Sequence, residues 1–249
     1  MMDRQVLFIT GGAKGIGKAT VEHALSQGWD VAFTYWQSQK MADDIIVQAT
    51  ENYPQQRCKA YQLDVKDSEA IETVGEQVLE DFDNVDAVIN NAGIDKPGNV
   101  VMLSDEEWQE VITTNLTASF YVTRFFLPVF LANNYGRFIT LSSLAKDGSS
   151  GQVAYAASKA GLVGFAKTIA KEYGHKGITS NIVLPGLIET EIIGEDAKGL
   201  RTFFNQYNPA KRLGNTTEIA QSILFLCSKE ASYINGTVLN ITGGIDWVY

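Results

Sequence analysis

Short apolar, β-branched runs alternate with segments of helical period along nearly the whole chain. Val6–Thr10, Val31–Thr34, Lys59–Leu63, Ala87–Ile89, Phe138–Leu141, Thr179–Leu184 and Thr237–Asn240 read as strands. Helical patterns between them cover about Ile16–Gln27, Lys40–Asn52, Ser68–Phe82, Tyr155–Tyr173 and Glu218–Ser228. A capping box, Ser104-Asp105-Glu106-Glu107, opens one more helix. Strands separated by helices pair in parallel through right-handed crossovers. Runs this continuously apolar belong to a sheet covered on both faces. The expectation is an α/β fold, a single domain over residues 1–249 with one doubly wound parallel sheet of about seven strands flanked by helices. Residues 186–215 form the long segment without a clear element. It follows the carboxyl end of a strand, the side on which such sheets bind ligands, so it is a candidate lid.

Charge narrows the partners. The 249 residues carry a formal net charge of -9, with Lys and Arg scattered. Such a chain repels nucleic acid and anionic membrane surfaces. The most apolar stretch, Ala118–Ala132, contains Arg124 and Pro128 and is too short for a membrane span. Met1-Met2-Asp3-Arg4-Gln5 leads straight into a strand, without the pattern of a signal peptide. Cys58 and Cys227 lie far apart without metal spacing, and read as buried thiols of a cytoplasmic protein. His23 and His175 are equally scattered and read as surface residues, so no metal site is expected.

Thr10-Gly11-Gly12-Ala13-Lys14-Gly15-Ile16-Gly17 joins the first strand to the first helix. Gly11, Gly15 and Gly17 let the backbone turn sharply and approach a pyrophosphate, which the helix N-terminus then meets with free N–H groups. A tight turn with no ligand is the alternative. Tyr155 and Lys159 stand at i and i+4 on one helix face. An ammonium beside a phenol favours the phenolate, which lowers the pKa of Tyr155 toward useful acid–base work. Alone, such a pair more often marks an amphipathic helix surface. Asn115 sits inside a helical pattern, where Asn is a poor helix former.

Four motifs together decide between these readings. The glycine loop resembles the cofactor loop of the short-chain dehydrogenase/reductase family. Asn90-Asn91-Ala92-Gly93, Tyr155-Ala156-Ala157-Ser158-Lys159 and Pro185-Gly186-Leu187-Ile188-Glu189-Thr190 resemble its next three motifs, in the family's order and spacing. The resemblance runs from Val6 to Gly244 and implies a Rossmann-like domain, a nicotinamide cofactor and an oxidoreductase acting on CH–OH groups. It implies Tyr155 as general acid in reduction and base in oxidation. Lys159 would hold ribose hydroxyls and tune Tyr155, and Asn115 would hold a water for proton relay. A serine would hydrogen-bond the substrate carbonyl oxygen. Ser142 matches the commonest family spacing to Tyr155, whereas Ser143 matches the family pattern. Gly148, Gly151 and Gln152 keep their places relative to Tyr155, which favours Ser143.

The same resemblance implies cofactor contacts from Gly11, Lys14, Gly15, Ile16 and Gly17, from Asn91, Ala92 and Gly93, and from Pro185, Gly186 and Ile188. Asp64 and Val65 would meet the adenine and Thr190 the carboxamide. An acid at the end of the second strand selects NAD through the ribose 2′-OH. That position is Tyr35, and Lys14 can pair with a 2′-phosphate, so NADP(H) is favoured and NAD(H) stays possible. Trp36 stands where NADPH members often carry Arg, stacking on the adenine or covering it.

Within 186–215, Ile192, Ile193, Leu200, Phe203, Phe204 and Tyr207 suit an acyl chain or a ring, or else pack a helix. Lys211–Gly214 and Glu230–Gly236 look most like 3-oxoacyl reductases, which implies NADPH-dependent reduction of a 3-oxoacyl thioester. The alternatives are a dehydrogenase of a secondary alcohol, sugar or steroid, and a cofactor-binding regulator without chemistry. Asn115, Ser143, Tyr155 and Lys159 together argue against the last. Relatives fed by acyl carrier protein present basic residues where this chain has Asn133-Asn134, although Lys176 is kept. An acidic carrier needs a basic patch, so a coenzyme A thioester or free ketone stands beside the carrier protein as substrate. Phe120–Leu127 is apolar on nearly every face, which implies a covering subunit and a homotetramer, as in the family.

Overall fold

The computed structural model describes residues 4–190 and 198–246. Every strand of the sheet but the last is followed by helical segments that cover the sheet. The first half runs β1 (Val6–Ile9), α1 (Gly15–Ser26), β2 (Asp30–Tyr35), α2 (Gln39–Asn52), β3 (Cys58–Gln62), α3 (Ser68–Phe82) and β4 (Ala87–Asn90). The second half runs α4 (Asp105–Ile112), α5 (Ala118–Asn133), β5 (Gly136–Leu141), α6 (Val153–Tyr173), β6 (Ile178–Pro185), β7 (Ile188–Glu189), α7 (Lys198–Tyr207), β8 (Gly214–Asn215), α8 (Thr216–Cys227) and β9 (Val238–Ile241). The sheet is parallel, seven-stranded, in the order β3-β2-β1-β4-β5-β6-β9. Its order reverses between β1 and β4, and the crevice outside that switch point is where such sheets take ligands.

Successive strand residues point to opposite faces. Leu7, Ile9, Val31 and Phe33 therefore pack under α1, α2 and α8 against Val21, Leu25, Ile45, Ile219 and Ile223. Val6, Phe8, Ala32 and Val88 pack on the other side with Val78, Phe126, Phe130 and Phe138. Burial on both faces explains the unbroken apolar strands.

The capping box forms: Glu107 N–H donates to Ser104 Oγ at 3.1 Å, and Ser104 N–H donates to Glu107 Oε2 at 3.1 Å. The helix it opens runs through a single π turn, Thr113–Thr117, into α5. Within the chain, burial all round α5 does not occur. Phe120 and Arg124 are exposed, and the Arg124 guanidinium lies 5.1 Å from the Phe120 ring centroid. The sheet and α3 cover only the inner side of the helix.

Residues 186–215 are less featureless than expected, because β7 pairs with β8 and α7 lies between them. Phe204 is buried with Leu144, Leu184 and Ile245, Phe203 packs beside them, and Tyr207 is half exposed. Ile192 and Ile193 lie outside the described residues, as does the side chain of Leu200. Cys58 is partly and Cys227 fully buried, both as free thiols. His23 is half-buried rather than a surface group, and burial lowers its pKa. Among the described residues no helix is long and apolar enough to cross a membrane, and no group of His, Cys, Asp and Glu could hold a metal ion.

Candidate active site

A cleft of about 1510 Å³ opens at the carboxyl ends of the strands. Its floor is the β1–α1 turn, where Gly11 and Gly15 adopt left-handed φ angles of 67° and 51°. Gly12 N–H donates to the Thr34 carbonyl at 2.8 Å, and Gly11 N–H to Thr34 Oγ1 at 3.3 Å, so β2 holds the turn down. A Cβ on Gly12 would stand 2.6 Å from Phe33 Cβ, and one on Gly17 2.2 Å from the Gly11 carbonyl oxygen. Gly17 does not line the cleft; it lets α1 start directly above the turn. Lys14, Gly15 and Ile16 do line it, and no side chain caps the helix there. The α1 N-terminus thus opens into the cleft with its positive dipole end.

Thr10 Oγ1 accepts from the N–H groups of Asn91 and Ala92, both at 3.1 Å. Asn91 Nδ2 donates back to the carbonyls of Thr10 and Gly11 at 2.9 and 3.0 Å. These bonds lock the loops after β1 and β4 side by side. A Cβ on Gly93 would meet Asn115 Oδ1 at 3.2 Å and Lys159 Nζ at 3.4 Å, and one on Gly15 would lie 3.5 Å from Thr190 Cγ2 on the facing wall. Pro185, Gly186, Ile188 and Thr190 form that wall. A narrow trough lined by bare backbone and a helix N-terminus fits a pyrophosphate-linked dinucleotide.

Tyr155 and Lys159 project from α6 into the same cleft. Lys159 Nζ donates to the Leu141 carbonyl at 2.8 Å and lies 5.5 Å from the Tyr155 ring centroid. Burial lowers its pKa to about 8. Burial also raises the Tyr155 phenol above its ordinary value. A hydrogen bond with Ser143 pulls it down, and the charge of Asp95 pushes it further up. The expected lowering of Tyr155 by Lys159 is therefore not found. The lysine is turned to a carbonyl, and the dry surroundings of the phenol outweigh its neighbours.

Ser142 Oγ donates to the backbone carbonyl of Lys159 at 2.9 Å. Ser143 Oγ accepts from Ala145 N–H at 3.2 Å, and Ser143 lines the cleft with Tyr155. Asn115, buried in the π turn, accepts from Ile94 N–H at 2.8 Å. Its Nδ2 donates to the Ile94 carbonyl at 2.9 Å and to Ser158 Oγ at 3.0 Å. The side chain is a strut between three elements and does not line the cleft.

At the far end Tyr35, Trp36, Asp64 and Val65 line the cleft. The last residue of β2 is Tyr35, so no carboxylate ends that strand, and Trp36 is 51% exposed. Lys66 N–H donates to Asp64 Oδ1 at 3.0 Å, and Lys66 Nζ lies 3.6 Å from Asp64 Oδ2. Near Tyr155 the cleft also takes in Asp95, Ser149, Ser150 and Gln152, with Phe203 and Phe204 across from them. No motif marks Asp95, whose only sequence signal is its place two residues beyond Gly93.

The family model described as enoyl-(acyl carrier protein) reductase matches residues 11–246. The chain belongs to the short-chain dehydrogenase/reductase family. It is an oxidoreductase of that family. This short-chain dehydrogenase/reductase is 37% identical over 98% of its length to the 3-oxoacyl-acyl-carrier-protein reductase FabG of Haemophilus influenzae, 99% of which is covered. It is 36% identical to the FabG of Thermotoga maritima, covering 98% of each chain. The solved structure of levodione reductase superposes with a TM-score of 0.91 at 31% identity, over 96% of both chains.

Proposed function

We propose that this enzyme reduces ketones with NADPH, and that its substrate is the 3-oxo group of an acyl thioester. The observation that carries the reading is that Ser143, Tyr155 and Lys159 come together in one cleft with a dinucleotide trough. Two relatives named for 3-oxoacyl substrates support the thioester.

Gly11, Lys14, Gly15 and Ile16 would hold the phosphates, Asp64 and Val65 the adenine, and Asn91, Ala92, Gly93, Pro185, Gly186, Ile188 and Thr190 the nicotinamide half. Gly17 acts behind them by keeping α1 close. A reduced nicotinamide bound there supplies a hydride to a carbonyl carbon. Ser143 donates a hydrogen bond to the carbonyl oxygen as negative charge grows on it. Tyr155, kept protonated at neutral pH by burial, gives that oxygen its proton, and takes it back in the oxidation direction. Lys159 positions the ribose hydroxyls and passes a proton onward. Asn115 would be the residue that holds a relay water, although its side-chain amide is committed to Ile94 and Ser158 and its carbonyl accepts from Ser119 Oγ.

The uncharged Tyr35 and the nearby Lys14 favour a 2′-phosphate and hence NADP(H) over NAD(H). We take residues 1–249 as a single domain whose segment 186–215 is a lid that puts Phe203 and Phe204 against the substrate. The exposed Phe120 and Arg124 on α5 support a homo-oligomer, a tetramer in this reading, in the cytoplasm. A coenzyme A thioester suits an acidic surface with Asn133 and Asn134 at least as well as a carrier protein does. Parallel rates of NADPH and NADH oxidation with acetoacetyl-coenzyme A, a cyclic ketone and a ketose test the reading. Fast NADPH turnover on the thioester is the expected result; turnover confined to NADH or to the other ketones overturns it.

A further inference from the structure

The loop after Gly93 forms the wall of the cleft next to Tyr155. It is tied to the segment before Tyr155 at two points. Gly98 N–H donates to the Gly151 carbonyl at 2.8 Å, and Gln152 Nε2 donates to Asp95 Oδ2. The other oxygen, Asp95 Oδ1, is buried and has no hydrogen-bond partner among the described residues. Asp95 lines the cleft, and its charge is felt at the Tyr155 phenol. A carboxylate oxygen can only accept, and a buried acceptor without a donor costs free energy.

We propose that Asp95 is a specificity-determining residue, which takes on Oδ1 a hydrogen bond from an N–H or O–H donor carried by the substrate near its reacting carbonyl. The inference rests on the ketoreductase reading above. In a 3-oxoacyl thioester the donor is an amide N–H of the thiol arm; in a compact ketone it is a hydroxyl. The same negative charge disfavours a free carboxylate at that place. Gln152 occupies the other oxygen.

The test compares kcat/KM for two matched pairs. The first is the acetoacetyl thioester of N-acetylcysteamine against the S-butyl thioester, which lacks the amide. The second is a hydroxy-substituted cyclic ketone against its parent. The native enzyme prefers the donor-bearing member of at least one pair by roughly 10- to 100-fold, as for a hydrogen bond to a charged group. In Asp95→Asn, the side-chain oxygen still accepts from Gln152 and an NH₂ replaces the free acceptor, so the preference is lost or inverted, chiefly through KM. Gln152→Leu loosens the loop while keeping the carboxylate, and lowers both members of a pair alike. Should Asp95→Asn not fold, Asp95→Ala gives the same comparison with the preference abolished.

Equal losses on both members in the Asp95 variants, or no preference in the native enzyme, overturn the proposal. If neither thioester is reduced, the thioester reading falls, and the ketone pair alone decides the role of Asp95.

Discussion

Lys159 donates its hydrogen bond to the Leu141 carbonyl at 2.8 Å, not to the phenol of Tyr155 four residues earlier on α6. The lysine is thereby anchored to the end of β5, one residue before the serines. Strand and helix together fix the distance between the group that carries the proton and the group that holds the carbonyl.

Removing the proton donor tests that arrangement directly. Tyr155→Phe keeps the ring and its packing but loses the hydroxyl. Its kcat for ketone reduction is expected to fall roughly 10²- to 10⁴-fold. Thermal unfolding should stay close to the native protein. A rate within a factor of a few of native removes Tyr155 from the chemistry.

Burial of Lys159 gives stability a pH signature. The unfolded chain keeps this proton to about pH 10.5, the folded one only to about pH 8. Between those values the unfolded state binds more protons, so the native contribution to stability rises with pH. Below pH 8 the buried ammonium costs the fold up to roughly 3 kcal/mol. Lys159→Met should be the more stable protein there, and its advantage should shrink from pH 8 upward. Urea unfolding of both proteins from pH 7 to 10 reads the difference in slope; parallel curves reject it.

Cofactor choice is decided at the end of β2. Lys14→Ala should raise the KM for NADPH about 10-fold, the loss of one charge-assisted hydrogen bond, and leave NADH nearly unchanged. Tyr35→Asp should repel a 2′-phosphate, accept the ribose 2′-OH and move the preference toward NADH. Equal effects of Lys14→Ala on both cofactors would place the lysine elsewhere.

Gly17→Ala probes packing rather than chemistry. Its methyl carbon would stand 2.2 Å from the Gly11 carbonyl oxygen, a backbone atom that cannot swing aside. The substitution should destabilise the protein by about 1–3 kcal/mol, the usual range for overpacking, and weaken dinucleotide binding. Denaturant unfolding, with fluorescence titration of NADPH, measures both effects.

Much of this was written in local sequence. Val6–Ile9 is buried at every position, so its unbroken apolar run reported two covered faces; Ile178–Pro185 is as buried although it carries Thr179, Ser180 and Asn181. Ser104 and Glu107 announced a helix start because both partners of a capping box lie within four residues. Gly11 and Tyr155 stand out through motifs that resemble the family's, and both line the cleft. Less could be read where a role depends on distant neighbours. The residues of α7 leave a substrate lid and a packed helix both open in the sequence, because the core partners of Phe204, Leu144 and Ile245, lie far off in the chain. The pKa of Tyr155 was misjudged because sequence supplies a neighbour four residues away but not the dryness around it. Asp95 gave no signal beyond its place two residues after Gly93, since a carboxylate between a motif and a loop looks like any surface acid. The use of the Asn115 amide as a strut needed the position of Ile94.

The π turn at Thr113–Thr117 amounts to one residue more than a regular helix would hold. Deleting a single residue there would restore an ordinary helix and remove the wide turn in which Asn115 sits. Phe120 and Arg124 follow that turn directly on α5. The interior strut and the outward-facing surface thus share one stretch of helix, and a length change in it would be felt at both.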